Sequence, residues 1–279
     1  MAERRPFDPT DALRVMTIPK APPDLIERSQ ARAAELGLEW VRRDRGVKTV
    51  LARHGASLAY VVSREKEMLT DGERSLFMHP GLFYLKQGDG RTHPLIRALS
   101  PEGAPPVRRV IDATLGLAGD ALHVAAVLDV EILGIEASPI LASLVREGLE
   151  RVARERRRWR RPASAITVRQ GQALDVLQGL GDGAADVVYL DPMFVEPLGA
   201  QPGFDLLRLV ADASQPSSAL LAEAARVALR RVVVKVGGAA PPPAAAPPPP
   251  GWNHWVRGGA VDYHVLEKAG FDPGPEGSS

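Results

Sequence analysis

The stretch Val107-Arg108-Arg109-Val110-Ile111-Asp112-Ala113-Thr114-Leu115-Gly116-Leu117-Ala118-Gly119-Asp120 runs from a β-branched apolar segment into two glycines and then into an Ala/Leu-rich segment. That order predicts a strand over 107–113, a glycine turn, and a helix over 119–128. The same alternation continues downstream. Strands are expected at 131–136, 165–170, 185–190 and 231–236, with helices at 139–156, 173–178 and 218–229 between them. Strands alternating with helices indicate an α/β fold: a Rossmann-like, doubly wound, mostly parallel sheet covered on both faces. Ser138 followed by Pro139 is a plausible cap and first turn for the long helix. Two β-like runs, 252–257 and 260–267, flank Gly258-Gly259 and predict an antiparallel C-terminal hairpin. Between sheet and hairpin lies a Pro/Ala tract at 241–250, which suits an extended loop.

Upstream, residues 1–23 are charged and Pro-punctuated and predict a flexible arm. Residues 24–36 suit a helix that stops at Gly37. Residues 47–52 and 57–63 are β-like, and 76–85 is aromatic and broken by Pro80-Gly81. Residues 24–104 therefore form an expected small α+β domain, ending in a Pro/Gly linker at 101–106. Residues 105–269 form the second domain, and 270–279 a disordered tail.

The chain has 279 residues, 45% apolar and 25% charged, with a formal net charge of +1. These values suit a soluble globular protein with no global field toward polyanions. There is no cysteine, which removes disulfide and thiolate chemistry and fits a cytoplasmic setting. No apolar run reaches membrane-spanning length, and the six histidines show no paired metal-ligand spacing. Neither a membrane nor a metal is expected, and the sequence assigns no oligomeric state. A hydrolase elbow and an ATP P-loop are both missing.

The chemistry gathers at strand ends. The Gly116-to-Gly119 turn is Gly-x-x-Gly, short of the full dinucleotide fingerprint. Asp112 beside it would repel a pyrophosphate but suits a ligand with a cationic centre and an ammonium, as S-adenosylmethionine has. The turn also reads simply as a packing device. Glu136 ends the next strand, 20 residues past Gly116, where a carboxylate commonly grips ribose hydroxyls. Gly171-Gln172-Ala173 follows the third strand, where an adenine would be bordered. Asp186-Val187-Val188-Tyr189-Leu190 ends in Asp191-Pro192-Met193-Phe194. An acid there can accept N–H bonds from an exocyclic amine, and the Phe194 ring can stack on the planar group bearing it. The same residues also fit a plain strand-end turn.

These segments, followed by Arg231-Val232-Val233-Val234-Lys235, resemble the class I S-adenosylmethionine-dependent methyltransferases. Within that class they are similar to the ribosomal RNA small subunit methyltransferase J family and its uncharacterised bacterial relatives. The likeness covers about residues 107–236. It implies S-adenosyl-L-methionine as cofactor and methylation of guanine N2 in small-subunit rRNA. It also implies a cofactor pocket lined by Gly119 and Asp120, Glu136 and Ala137, Gln172 and Ala173, and Asp191. Asp112, Thr114 and Gly116 of the turn join that set, and Asp191, Pro192 and Phe194 form the expected catalytic group. The chain departs from the family after Phe194, where residues 195–207 carry no lysine or arginine. A small-molecule or protein acceptor, or a non-catalytic cofactor-binding module, is the competing expectation. The dense basic run Arg154-Glu155-Arg156-Arg157-Arg158-Trp159-Arg160-Arg161 could track phosphates and stack a base, or be a solvated helix end.

Overall fold

Two sheets share one hydrophobic core, and each follows from where the chain places its β-branched runs. The computed structural model describes residues 12–79, 90–192, 204–212, 214–237, 252, 254–258 and 261–268. The first sheet has the order β1-β2-β3-β4, with β1 (Leu13–Thr17), β2 (Leu58–Val62), β3 (Glu67–Thr70) and β4 (Ser75–Leu76). Helix α1 (Pro23–Leu36) packs on it and ends at Gly37, whose φ of 65° is the left-handed cap expected of glycine.

Two expectations fail here. Residues 13–17 belong to no arm: they form β1, paired parallel to β2, with Leu13, Val15 and Met16 fully buried. Residues 1–11 of the expected arm lie outside the described residues. A strand buried on both faces shows no polar alternation, so nothing in Leu13-Arg14-Val15-Met16-Thr17 separated it from a linker. The β-like segment at 47–52 is instead helix α2 (Val47–Arg53), with Val50 and Leu51 buried. Packing overrides the propensity of its β-branched residues.

The second sheet has seven strands in the order β10-β11-β9-β8-β5-β6-β7. These are β5 (Arg109–Asp112), β6 (Glu131–Glu136), β7 (Ile166–Gln170), β8 (Ala185–Leu190), β9 (Ala228–Gly237), β10 (His254–Val256) and β11 (Val261–Glu267). Pairs among β5 to β9 are parallel, and β9-β11 and β11-β10 are antiparallel. The expected doubly wound sheet with a C-terminal hairpin is therefore the observed one. The helices are α3 (Pro94–Leu99), α4 (Gly119–Leu128), α5 (Pro139–Glu155), α6 (Arg160–Ser164), α7 (Ala173–Gln178), α8 (Phe204–Val210) and α9 (Ser218–Val227). The helix expected to reach 229 stops at Val227, and β9 begins at once because Ala228 already pairs with Ala185. The 241–250 tract, Gly259 and the 270–279 tail lie outside the described residues.

The chain path reverses at β5, with β6 and β7 on one side and β8 and β9 on the other. A crevice opens outside the carboxyl ends of strands at such a switch point. That rim carries the site.

A buried polar network ties the small sheet to α5. The Glu67 side chain is fully buried and accepts bonds from Arg28 at 2.7 Å, Arg32 at 2.9 Å and the Tyr60 hydroxyl at 2.6 Å. Tyr60 also meets Ser143 of α5 at 3.1 Å, and the Glu67 N–H donates to Glu147 of α5 at 3.3 Å. Gly148 lets Met78 lie against α5, since a Cβ there would overlap the Met78 side chain. Removing one partner of a buried charge pair costs about 3–5 kcal/mol, because the others stay buried and unpaired. Glu67→Ala is expected to lower unfolding free energy by about that amount in urea titration. A loss under about 1 kcal/mol would mean that the arginines reach water instead.

Candidate active site at the strand-end rim

The rim is assembled from the last residues of three neighbouring parallel strands. Asp112 ends β5, is 3% exposed, and accepts the Thr114 N–H at 3.1 Å. The turn after it is locked to the sheet by the Leu115 N–H, which donates to the Ile135 carbonyl at 2.9 Å. Gly116 sits at φ +53°, a conformation suited to glycine, and Gly134 leaves room for the Leu115 side chain. Glu136 ends β6 and accepts the N–H groups of Gly116 at 2.9 Å and Ser138 at 2.8 Å. Ser138 in turn caps α5, as its sequence suggests. Asp191 follows β8, and its N–H donates to Thr114 Oγ1 at 2.5 Å. Asp112, Thr114, Gly116, Glu136 and Asp191 are thus one connected group.

Asp120, in the first turn of α4, faces the same crevice from the other side of the turn. It accepts from the Tyr189 hydroxyl at 2.7 Å and from Lys235 Nζ at 3.0 Å. Lys235 also donates to Asp191 Oδ2 at 2.8 Å. This lysine was missed as a site residue. It stands near the end of β9, directly opposite Tyr263 of β11. The available signal was a lone cation closing the apolar run Val232-Val233-Val234.

Ala137 lies beside Glu136, and its carbonyl accepts from Gln170 at 3.2 Å. Gln172 and Ala173 form the β7–α7 junction, with Gln172 exposed and its side chain bonded to Asp212. Pro192 is buried, while Met193 and Phe194 lie outside the described residues. Asp175 is an exposed first-turn acid of α7.

The electrostatics of the rim are those of crowded acids with one buried cation. Burial pushes the Asp112 carboxyl well above its ordinary range, and Asp120, Asp191 and Glu136 push it further. Burial likewise raises Glu136, to about 7, against the pull of its N–H partners. Burial also works against charge on Lys235, but Asp120 and Asp191 outweigh it and keep the ammonium charged beyond its usual range. The Tyr189 and Tyr263 hydroxyls are pushed up by burial and by the neighbouring acids. Such a rim favours a cationic ligand and opposes a pyrophosphate.

The basic run at 154–161 is not part of this constellation. It begins at the end of α5, and at 1.5 Å per residue the helix carries it about 25 Å from the rim. Trp159 is 7% exposed and belongs to the core, so it presents no face to a base. Arg161 pairs with Asp129. Among the described residues no group of three or more His, Cys, Asp or Glu could hold a metal. No helix among them is long and apolar enough to cross a membrane.

The raised Glu136 carboxyl makes a prediction with a definite sign. Between its ordinary value of 4.5 and about 7 the folded state holds a proton that the unfolded chain has released. Stability therefore falls as pH rises through that window. In urea titrations the stability of wild type relative to Glu136→Gln is expected to decline from pH 4.5 to about 7 and then level off. A flat difference would mean that the acid is ordinarily solvated. The comparison cancels the parallel slope contributed by Asp112.

The family model described as "Putative SAM-dependent methyltransferase" matches residues 78–249. The chain is 31% identical over 226 residues to the ribosomal RNA small subunit methyltransferase J of Thioalkalivibrio sulfidiphilus, covering 79% of this chain and 86% of that one. It is 29% identical over 216 residues to an uncharacterised protein, YpiP, of Bacillus subtilis, covering 75% and 83%. The crystal structure of a SAM-dependent methyltransferase from Neisseria gonorrhoeae shares the fold at a TM-score of 0.65 and 23% identity, covering 95% of this chain and all of that one. A chain with this sheet, this acid-lined switch point and this family match belongs to the S-adenosyl-L-methionine-dependent methyltransferases related to the methyltransferase J family, and it is an enzyme with that cofactor.

Proposed function

We propose that this enzyme methylates an exocyclic amine of a nucleobase in RNA, with guanine N2 of small-subunit rRNA as the target. The observation that carries the reading is Asp191. A strand-end carboxylate sits at the switch point, held by Thr114 through its N–H and by Lys235 through Oδ2. It leads directly into Pro192-Met193-Phe194. The printed name of the Thioalkalivibrio relative supports the rRNA acceptor. An rRNA acceptor and a cysteine-free chain fit work in the cytoplasm.

The donor set fits the cofactor. A carboxylate offers about four acceptor positions. Gly116, Ser138 and, more weakly, Ala137 occupy up to three on Glu136, which leaves one for a ribose hydroxyl. Asp112 and Asp120 suit the cationic amino-acid end. Thr114, Gly116 and Gly119 shape the turn against it, and Gln172 and Ala173 border the adenine. Bound S-adenosylmethionine supplies an electrophilic methyl: the amine lone pair forms the N–C bond as the C–S bond breaks, the electron pair leaves on a neutral thioether, and the amine proton passes to water. Asp191 and the Pro192 carbonyl hold the amine hydrogens and steady the positive charge that develops on nitrogen. Phe194 stacks on the base. Cofactor binding belongs to residues 105–269, and the unit at 24–104 buttresses α5.

The lack of lysine or arginine in 195–207 favours, as a second reading, a small-molecule or protein acceptor for the same cofactor. Mass spectrometry of rRNA nucleosides from a deletion strain separates the two. Loss of one N2-methylguanosine supports the rRNA reading, and an unchanged profile favours the other acceptor.

Two variants test the assignment of roles. Glu136→Ala is expected to weaken S-adenosylmethionine binding about tenfold in isothermal titration, or about 1.4 kcal/mol. Asp191→Ala is expected to abolish single-turnover transfer with a smaller loss of cofactor affinity, since its partner is the amine in the transition state. A near-normal rate in Asp191→Ala would reduce the motif to a structural turn.

A further inference from the structure

Lys235 is a buried lysine with a specific partner set. From β9 its ammonium reaches Asp120 of α4 at 3.0 Å and Asp191 beyond β8 at 2.8 Å. Its side chain is 16% exposed. Every element packed around it contributes a titratable group. These are Tyr189 on β8, Tyr263 on β11, Asp112 at the end of β5, Asp120 on α4, and Asp191 itself. The Tyr189 hydroxyl completes the set by donating to the same Asp120 oxygen that Lys235 grips. Nothing about sheet packing requires a cation here, since the neighbouring strand residues Val232 and Val233 are fully buried and apolar. An apolar residue of equal length would fill the space at lower desolvation cost.

We propose that Lys235 is the positioning residue of methyl transfer, clamping Asp191 in its ionised form and in a fixed orientation toward the acceptor nitrogen. The proposal rests on the reading of Asp191 as the group that meets the acceptor. It adds a consequence for substrate class. An ionised, anchored Asp191 accepts hydrogen bonds and takes no proton, so the site selects neutral N–H donors and repels carboxylate acceptors. The clamp also couples the two halves of the crevice. Asp120 on the cofactor side and Asp191 on the acceptor side share one cation, so neither carboxylate can swing without the other losing its partner.

The experiment compares wild type, Lys235→Met, Lys235→Arg and Asp191→Asn. The probe is small ribosomal subunits from a strain lacking this gene, with radiolabelled S-adenosylmethionine. Single-turnover rates are followed across pH, alongside carboxyl-carbon NMR titration of Asp191 in the cofactor-free protein. Lys235→Met is expected to slow transfer about thirtyfold or more at neutral pH, as for loss of a preorganised electrostatic contact. Its acid limb and the Asp191 titration should both move up by about one pH unit, because the opposite charge is gone. Lys235→Arg should restore most of the rate and the pH profile. A structural role alone would lower the melting temperature and leave both titrations in place, and that result overturns the proposal. An inactive Asp191→Asn beside a Lys235→Met with unchanged pH profile also overturns it, while leaving the reading of Asp191 intact. A fully active Asp191→Asn overturns both. If wild type does not methylate the subunits, the rRNA acceptor falls, and the Asp191 titration still decides the role of Lys235.

Discussion

Four carboxylates at one strand-end rim are the constraint around which the second half of this protein is organised. Asp112, Asp120, Glu136 and Asp191 converge because three parallel strands end side by side and a helix begins between them. Like charges about 4 Å apart in a partly buried site repel by about 4 kcal/mol per pair. The structure answers that repulsion in two ways. Two of the acids, Asp112 and Glu136, are held toward their neutral forms by burial. The other two share the Lys235 ammonium. A cationic cofactor entering this crevice meets acids already arranged to receive positive charge, so little reorganisation is required of the protein.

The small N-terminal sheet bears on this site indirectly. Glu67 gathers Arg28, Arg32 and Tyr60, and through Ser143 and Glu147 it fixes the middle of α5. Arg151 of α5 reaches the Met78 carbonyl at 2.6 Å, adding a second tie. The first turn of α5 is capped by Ser138, whose N–H is one of the two that hold Glu136. A continuous run of buried polar contacts therefore connects the small sheet to the ribose-side acid. Such networks are rigid when fully satisfied.

Much of the site was legible residue by residue. Asp112, Glu136 and Asp191 each close a β-branched run, and the end of a strand is a local property. The left-handed Gly116, the Ser138 cap and the helix stop at Gly37 are equally local, because each depends on the backbone preferences of two or three residues. Where several faces of an element are buried, that legibility fails. β1 has no polar alternation because Leu13, Val15 and Met16 are all enclosed. Segment 47–53 carries β-branched residues yet folds as a helix, because Val50 and Leu51 meet a pocket formed by β1 and β2 residues far away in the chain.

The sequence by itself determined the strand–helix alternation, the doubly wound class, the hairpin after β9, and the three acids that end neighbouring strands. Periodicity and turn chemistry act over a few residues, so they survive in one dimension. Only the tertiary structure decided which cation answers those acids. Lys235 stands 115 residues from Asp120 and 44 from Asp191, and it meets both only because β9 lies beside β8 in the sheet order. The same order removed the most conspicuous basic run from the site by placing it at the far end of α5, with Trp159 turned into the core. Charge density can be counted along a chain, but the distance between charges is set by how strands are stacked.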